Sequence, residues 1–219
     1  MSDVKIIYED NHLIVVVKNP NIPVQLDESN DLDLQTIIKN YLKEKYAKKG
    51  NVYLGIVHRL DRPVGGLMVF AKTSKAAKRL SLSIQNHEFK KEYLAVIRGN
   101  IPSNQTLKNY LGRKGKIAYV TDEKNGKYAE LSYQVVEKID DLNLLKIDLK
   151  TGRHHQIRIQ FKNIGFPLYG DQLYGHEDKK QIALFAYKLS FIHPVTKELL
   201  TFKELPDYEI FTKFKMEEL

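Results

Sequence analysis

The stretch VHRLDRPVGGLMVFAK, residues Val57–Lys72, places charged side chains between two apolar runs. The runs Tyr53–Val57 and Leu67–Ala71 are typical of buried strands. Asp61 lies in the connection between them, with one arginine two residues before it and another directly after it. A charge next to buried strands costs free energy unless it is paired or used. The stretch therefore predicts either a structural ion pair at a strand end or a catalytic carboxylate that a neighbouring arginine keeps ionised.

The composition limits the class of protein. The chain has 219 residues, of which 42% are hydrophobic and 28% are charged, and it contains no cysteine. A chain of this length buries a core of its own, and without cysteine neither disulfides nor Cys-ligated zinc can form. The N-terminus lacks the layout of a signal peptide, and no apolar run approaches the roughly 18 residues of a membrane span. We therefore expect one domain with two lobes over residues 1–219, located in the cytoplasm and without a membrane partner.

The net charge favours a polyanionic partner. The chain carries a formal charge of +8 at neutral pH, and a basic balance of this size favours RNA or DNA. Many basic proteins of this size bind no nucleic acid, so the charge alone leaves both interpretations open.

Strands outnumber helices in the pattern of apolar residues. In addition to the two runs flanking Asp61, strands are predicted at residues 5–8, 13–18, 93–97, 129–136, 142–149, 182–191 and 199–202. Most of these strands follow one another directly along the chain. This order indicates an α+β protein with a largely antiparallel sheet flanked by helices.

Helices are predicted at three places, and two segments are less clear. The spacing predicts a helix from about Leu34 to Gly50 with Asp31 or Asp33 as its N-cap, a helix after Thr73-Ser74 on which Ala77, Leu80 and Ile84 share a face, and a terminal helix at Tyr208–Phe214. Residues 100–128 are polar and are predicted as loops with one short strand at Ile117–Thr121. Residues 152–165 fit the period of a strand and the period of a helix equally well.

Two further segments carry candidate functional side chains. TGRHHQIR, residues Thr151–Arg158, contains two arginines, two histidines and a glutamine, which is typical either of a phosphate-binding cluster or of a solvated basic helix face. Tyr93 follows Lys90 and Lys91. It is either an ordinary sheet tyrosine or a platform on which a base stacks while the lysines contact RNA phosphates.

Several classes of site are not predicted. The histidines match no zinc-binding spacing, no serine lies in a GxSxG context, and neither a phosphate-binding loop nor a dinucleotide-binding fingerprint is present. We therefore expect no metal, ATP or NAD, and no other cofactor.

Taken in order, four segments resemble the motifs of the RluA family of pseudouridine synthases. The segments are YEDNHLIVVVKNPNIPVQ, HRLD with GGLMVFAK, KKEYLAVIRG, and TGRHHQIRIQFKNIGFPLYGDQLYG. The resemblance runs from about residue 6 to about residue 192. The chain departs from the family pattern at Asn19, at Pro63-Val64-Gly65 and at His154. None of these departures falls at Asp61. The chain starts directly with a strand of the catalytic domain, so no S4 RNA-binding domain is expected.

The resemblance implies the pseudouridine synthase fold, with an RNA-binding cleft across its mixed sheet and a helix that starts near His154. It implies the conversion of uridine to pseudouridine in RNA, with Asp61 as the essential carboxylate and Arg158 as the cation that pairs with it. Asp61 would attack the base or the sugar, or remove the 2′ proton. Tyr93 would stack on the target base, and Arg59 would occupy the space that the flipped base leaves. The other substrate-binding residues that it implies are His58, Arg62, Gly65, Gly66, Arg153, His155, Gln156, Ile157 and Leu189.

The target and the class of function leave alternatives. Ribosomal RNA of the large subunit is the expected substrate, with transfer RNA as the alternative. A protein of the same fold that binds RNA or assists assembly without catalysis is a second hypothesis, and a basic hydrolase that uses Asp61 with a histidine is a third. We expect no DNA partner and a monomer.

Overall fold

The computed structural model describes residues 4–175, 180–216 and 219, which form two compact units. The first unit takes residues 1–89 and 188–204, and the second takes residues 90–187 and 205–219. Both contain mainly antiparallel strands, which confirms the predicted α+β class. The prediction that residues 1–219 form a single domain stays a prediction. None of the helices in the described part of the chain is long and apolar enough to cross a membrane.

The first unit is organised around two fully buried strands, β2 and β4. Its elements are β1 (Lys5–Glu9), β2 (Leu13–Lys18), α1 (Leu34–Lys45), β3 (Gly55–Ile56), β4 (Gly65–Ala71), α2 (Ser74–Gln85) and β11 (Leu199–Lys203). The pairs β1–β2, β2–β4 and β3–β4 are antiparallel. Every residue of β2 and β4 is buried, which explains why both appear in the sequence as continuous apolar runs.

Side-chain caps start both helices of this unit. Asp33 accepts from the Thr36 N–H at the start of α1, and Thr73 accepts from the Ala76 N–H at the start of α2. Helix α1 ends at Lys45, before the predicted stop at Gly50. The buried face of α2 consists of Ala76, Leu80 and Ser83, so the predicted face with Ala77 and Ile84 is rotated by about one residue.

The second unit contains an antiparallel sheet with the order β5-β9-β8-β6-β7. Its strands are β5 (Lys90–Arg98), β6 (Asn104–Lys114), β7 (Ile117–Thr121), β8 (Lys127–Ile139) and β9 (Leu142–Leu149). Helix α3 (Gln156–Asn163) follows, and its Ile159 packs with Leu111, Ala118 and Ala129 in one core cluster. Strand β10 (Leu184–Ile192) contains the boundary between the units, which falls after Tyr187.

Four local predictions are corrected or decided by these elements. The polar segment 100–128 contains the long strand β6, in which Leu107 and Leu111 are the buried residues, so too few apolar positions mark it as a strand. The run Tyr53–Val57 contains a strand of only two residues, Gly55–Ile56. The predicted terminal helix at Tyr208–Phe214 is a single 3₁₀ turn, Phe211–Lys213. The ambiguous segment 152–165 forms a helix, as the family resemblance implied.

Candidate active site

Asp61 lies in a tight turn of the first unit rather than at a strand end. Strand β3 ends at Ile56, five residues earlier, and β4 begins only at Gly65. The Val64 N–H donates to the Asp61 carbonyl at 3.0 Å, which closes the turn. Asp61 itself is half-buried. The turn therefore presents a carboxylate to solvent while its flanks are anchored in the core.

A buried lysine ties this turn to the end of β2. Lys18 has no exposed surface, and its Nζ donates to the Asn19 carbonyl at 3.0 Å and to the Arg62 carbonyl at 2.9 Å. The Asn21 N–H donates to the same Arg62 carbonyl at 2.8 Å. Lys18 also lies opposite Gly66 in the β2–β4 register. The backbone directly after Asp61 is thus held by hydrogen bonds from β2 and the loop that follows it.

The charges of Asp61 and Arg62 both act on the buried Lys18. Burial lowers the pKa of Lys18 to about 7, while the charge of Asp61 opposes this effect and that of Arg62 adds to it. Sequence reasoning missed this residue, although a lysine that directly follows the apolar run LIVVV was the feature that pointed to it.

The structure explains why two glycines follow the turn. Gly65 and Gly66 begin β4, and both are buried. Gly66 has a φ of 127°, a backbone conformation that residues with a Cβ rarely adopt. The predicted approach of the RNA backbone to these glycines stays a prediction.

The two arginines beside Asp61 differ in their surroundings. Arg59 is exposed. Arg62 forms an ion pair with Asp31, and its Nη1 donates to Ser29 Oγ at 2.9 Å and lies 3.7 Å from Asp27 Oδ2. Arg62 thus binds the loop before α1, whereas Arg59 extends towards solvent.

His58 serves the interior of the first unit. Its Nε2 accepts from the Val69 N–H at 3.1 Å, and its ring lies 5.4 Å from the ring of Phe89. The hydrogen bond places the imidazole against β4, and the predicted contact of His58 with substrate stays a prediction.

In the second unit, Arg158 is held by a buried carboxylate. Its Nε donates to Asp171 Oδ2 at 2.8 Å and its Nη2 to Asp171 Oδ1 at 2.7 Å. Asp171 also accepts from the N–H groups of Leu173 and Tyr174, and the guanidinium lies 5.2 Å from the centre of the Tyr174 ring. Asp171 and Tyr174 fix the orientation of Arg158, and sequence reasoning assigned no role to either of them.

Gln156 holds the turn that precedes α3. Its Oε1 accepts from Thr151 Oγ1 at 2.8 Å and from the Arg153 N–H at 3.0 Å, and its Nε2 donates to the Glu130 carbonyl at 3.1 Å. The amide of Gln156 therefore positions this turn through contacts within the protein, and its predicted contact with substrate stays a prediction.

The remaining residues of this turn lie nearer the surface. Arg153 is exposed, and its Nε donates to the Tyr128 carbonyl at 2.8 Å. His155 has a φ of 51°, its Nδ1 lies 2.8 Å from the hydroxyl of Tyr174, and its ring stacks on His154. The turn thus presents a cation and a stacked pair of imidazoles.

The apolar and aromatic candidates are buried. Tyr93, on β5 opposite Ile147, is 6% exposed, Ile157 is 5% exposed, and Leu189 on β10 is 1% exposed. Lys90 is exposed, but Lys91 is buried, and burial lowers its pKa.

The structure distributes the predicted site residues over both units. The first unit contains His58, Arg59, Asp61, Arg62, Gly65, Gly66 and Leu189, and the second contains Tyr93, Arg153, His155, Gln156, Ile157 and Arg158. In the first unit, Lys18 donates a hydrogen bond to the backbone directly after Asp61. In the second unit, Arg158 donates two hydrogen bonds to Asp171. The predicted ion pair between Asp61 and Arg158 stays a prediction.

The turn with Asp61 and the segment up to the end of α3 lie within the region that matches a family model, described as RNA pseudouridylate synthase, over residues 12–163. The chain belongs to the RNA pseudouridylate synthase family. The expected resemblance to this family is thereby confirmed.

Curated relatives in this family are similar over most of the chain. "Ribosomal large subunit pseudouridine synthase D" of Nitrosomonas europaea is 33% identical over 219 residues, which cover 93% of this chain and 62% of the relative. The protein of the same name from Haemophilus influenzae is 33% identical, over 92% of this chain and 67% of the relative. The chain thus spans about two thirds of the length of these curated relatives.

Solved structures of the family share the fold. "Human RNA Pseudouridylate Synthase Domain Containing 4" matches with a TM-score of 0.81 at 20% identity, over 95% of this chain and 91% of that one. "Human RNA Pseudouridylate Synthase Domain Containing 1" matches with a TM-score of 0.75 at 22% identity, over 93% of this chain and 84% of that one. These matches confirm the predicted pseudouridine synthase fold.

Proposed function

We propose that the protein is an enzyme that converts uridine to pseudouridine in large-subunit ribosomal RNA, with Asp61 as its essential carboxylate. The family membership supports the reaction. The names of the relatives from Nitrosomonas europaea and Haemophilus influenzae support the choice of RNA. The net charge of +8 supports a polyanionic substrate.

The observation that carries this proposal is the turn that holds Asp61, whose backbone is fixed by a hydrogen bond from the buried Lys18 to the Arg62 carbonyl. A carboxylate that attacks carbon or accepts a proton has to be ionised at the moment of reaction. The protein also has to hold this carboxylate in a fixed position beside the reacting atoms. The hydrogen bonds from Lys18 to the neighbouring backbone also limit the movement of the turn.

The reaction is an isomerisation, and its atoms balance within the nucleotide. The bond between N1 of uracil and C1′ of ribose breaks, and a bond between C5 and C1′ forms. C5 loses its proton, and N1 gains one. Asp61 takes part either by attack on the sugar or the base, or by removal of the 2′ proton. Each route requires the uridine to leave its stack and enter a pocket.

The residues of the second unit complete the proposed site. Arg158, oriented by Asp171, supplies a fixed positive charge for the reacting carboxylate. Tyr93 provides an aromatic face for the target base. The exposed Arg59 contacts the RNA, and Gln156 maintains the turn that carries Arg153 and His155. We propose that the protein acts on RNA, not on DNA, as a monomer in the cytoplasm.

The proposal is tested by mapping pseudouridine in total RNA through carbodiimide-dependent stops of reverse transcription. Cells without the gene are compared with cells rescued by the wild type, by Asp61→Asn and by Asp207→Asn, an exposed aspartate outside the site. We expect one or more stops in large-subunit RNA to disappear in the deletion and to return with the wild type and Asp207→Asn, but not with Asp61→Asn.

Purified protein then separates the alternatives. Activity of the wild type on transcribed large-subunit RNA, with none on transfer RNA, supports the proposed substrate, and the reverse result assigns it to transfer RNA. If the wild type modifies neither RNA and no stop depends on the gene, the protein is not an active synthase under these conditions. RNA binding retained by Asp61→Asn together with full rescue would identify a non-catalytic RNA-binding protein instead.

A further inference from the structure

A pocket in the second unit is lined by basic side chains, of which only Arg153 belongs to the proposed site. It has a volume of about 540 Å³ and lies where the hairpin of β6 and β7 meets the start of β8 and the turn before α3. We call it the basic pocket. Its lining consists of Leu111, Gly112, Arg113, Lys124, Asn125, Gly126, Lys127, Gly152, Arg153 and His154.

The four cations of the basic pocket are Arg113, Lys124, Lys127 and Arg153. Among the described residues, none of the four has an acidic partner. Within the described ranges 4–175 and 180–216, none of them forms an ion pair, and the lining contains no aspartate or glutamate. The arginines donate only to backbone, Arg113 Nε to the Gly115 carbonyl at 2.6 Å and Arg153 Nε to the Tyr128 carbonyl at 2.8 Å. Some other cations of the protein are paired, such as Lys72 with Glu9 at 2.7 Å. The positive charge of the basic pocket therefore remains available to a ligand.

The two acidic residues closest in sequence to Lys124 are Asp122 and Glu123, and both interact with other side chains. The carboxylate of Asp122 accepts from the backbone N–H and the Nδ2 of Asn125. Glu123 lies near Tyr110 and raises the pKa of its hydroxyl. Neither residue belongs to the lining, so the connection between β7 and β8 offers its lysines and not its acids.

The glycines of the lining keep the walls close together. A Cβ on Gly126 would lie 2.6 Å from Thr121 Cγ2 and 2.9 Å from the backbone N of Leu111. A Cβ on Gly152 would lie 3.1 Å from Nζ of Lys91. Lys91 is 8% exposed, and no hydrogen bond or ion pair of its ammonium is found in the part of the chain that the structure describes. A buried ammonium without a partner is costly, and an anion nearby reduces that cost.

Exposed tyrosines surround these cations. Tyr119, 41% exposed, lies across the hairpin from Gly112, and Tyr128, 39% exposed, directly follows Lys127. The rings of Tyr110 and Tyr128 are in edge contact at 5.8 Å. Cations interleaved with exposed aromatic rings are typical of surfaces that bind single-stranded nucleic acid, where phosphates contact the cations and bases stack on the rings. A site for a small free anion needs no such rings.

We propose that the basic pocket binds the phosphodiester backbone of the RNA substrate, on a part of the strand that takes no part in the chemistry at the uridine. This proposal rests on the proposed function for the identity of the RNA, but the binding itself is measured without catalysis. Residues 113, 124 and 127 are contacts that the motifs around Asp61 and Arg158 do not include. The pocket would add affinity and leave the rate of the chemical step unchanged.

The test is a triple variant, Arg113→Gln, Lys124→Gln and Lys127→Gln, in the full chain. The three side chains are exposed, so the fold is expected to remain. The Kd for a single-stranded RNA of about 20 nucleotides is measured from about 0.05 to about 0.4 M salt. Each lost phosphate contact lowers the slope of log K against log salt by about 0.7. We therefore expect the slope to fall by about 2 and the affinity at 0.1 M salt to fall up to about 100-fold.

The matched control removes the same charge from the first unit, with Lys43→Gln, Lys49→Gln and Lys75→Gln at exposed positions. It should change the slope by less than one third of the effect of the triple variant. Conversion of transcribed large-subunit RNA is measured in parallel. The triple variant should raise KM and leave kcat at saturating RNA unchanged. If the wild type shows no conversion, the proposed function fails, and the binding result still decides the role of the pocket.

Two results would overturn the proposal. One is an equal loss of affinity and slope in the triple variant and its control, which would mean that only the overall charge matters. The other is unchanged RNA binding in the triple variant. Both proteins are also titrated with inorganic phosphate, and binding to the wild type alone would explain this second result. The pocket would then be a site for a small anion.

Discussion

Two buried cations support the proposed site in different ways. Arg158 in the second unit faces a buried carboxylate with two hydrogen bonds, whereas Lys18 in the first unit donates to two backbone carbonyls. A guanidinium stays charged at every physiological pH, so it needs its carboxylate. An amine keeps two N–H donors after it loses its proton, so it can hold both carbonyls without its charge. The charge of Arg158 is therefore permanent, whereas the charge of Lys18 depends on pH.

Loss of the carboxylate partner should have the largest effect. Asp171→Asn removes the buried carboxylate that holds the guanidinium of Arg158 by two hydrogen bonds, and a broken buried pair costs about 3–5 kcal/mol. We expect a decrease of this size in the free energy of unfolding, measured by urea titration. The control is Asp141→Asn, which removes the exposed partner of Arg98 and should cost less than about 1 kcal/mol. Equal effects of the two substitutions would mean that Asp171 does not stabilise a buried charge.

The titrating lysine should give the protein a specific pH dependence. The pKa of Lys18 is about 7 in the folded state and near 10.5 when unfolded. Between these values the unfolded chain binds more protons, so this residue makes the free energy of unfolding rise with pH, by up to about 1.4 kcal/mol per pH unit. Below pH 7 the full cost of the buried ammonium is present. Lys18→Met should remove this component.

The measurement is the difference in unfolding free energy between the wild type and Lys18→Met at a series of pH values from about 6 to about 10. Other titrating groups are the same in both proteins and cancel in the difference. The relative stability of the wild type should increase through this range. A difference that stays constant with pH would show that Lys18 keeps its proton in the folded protein.

Gly66, which lies opposite Lys18, should give the next effect. A Cβ at a φ of 127° is strained at about 1–3 kcal/mol, so Gly66→Ala should destabilise by about that amount. Gly50→Ala is the matched control, because no atom lies within 4 Å of its Cβ position and its φ is not in this range. The control should be nearly neutral by urea titration. A neutral Gly66→Ala would mean that the start of β4 relaxes without cost.

The sequence predicted the parts of the fold in which pattern and packing agree. Strands β2 and β4 have continuous apolar runs because both are buried along their whole length, and Asp33 and Thr73 were found because a capping side chain is a local feature. Strand β6 was missed because it presents only Leu107 and Leu111 to the core. Its pairing with β7 and β8 supplies what its composition does not show.

The candidate site was predicted unevenly for a similar reason. Asp61 stands out within its own segment, since a charge between two apolar runs is a local contradiction. Lys18 reaches the Arg62 carbonyl across 44 positions, and Asp171 reaches the Arg158 guanidinium across 13 positions. Only the fold creates these two contacts. The spacing of apolar residues along the sequence gives no information about a hydrogen bond of this kind.

The smallest effect concerns the side chain of Arg62. Its guanidinium pairs with Asp31 and Asp27 at the surface, with about half of each side chain exposed, and exposed pairs contribute about 0–1 kcal/mol. Asp31→Asn should therefore lower the free energy of unfolding by less than about 1 kcal/mol, and less still at high salt. The carbonyl of the same residue accepts from Lys18 and Asn21, and the substitution leaves those bonds in place. If Asp31→Asn destabilised the protein as much as Gly66→Ala, the turn that carries Asp61 would be held by a surface ion pair instead of by its backbone, and its geometry would vary with salt concentration.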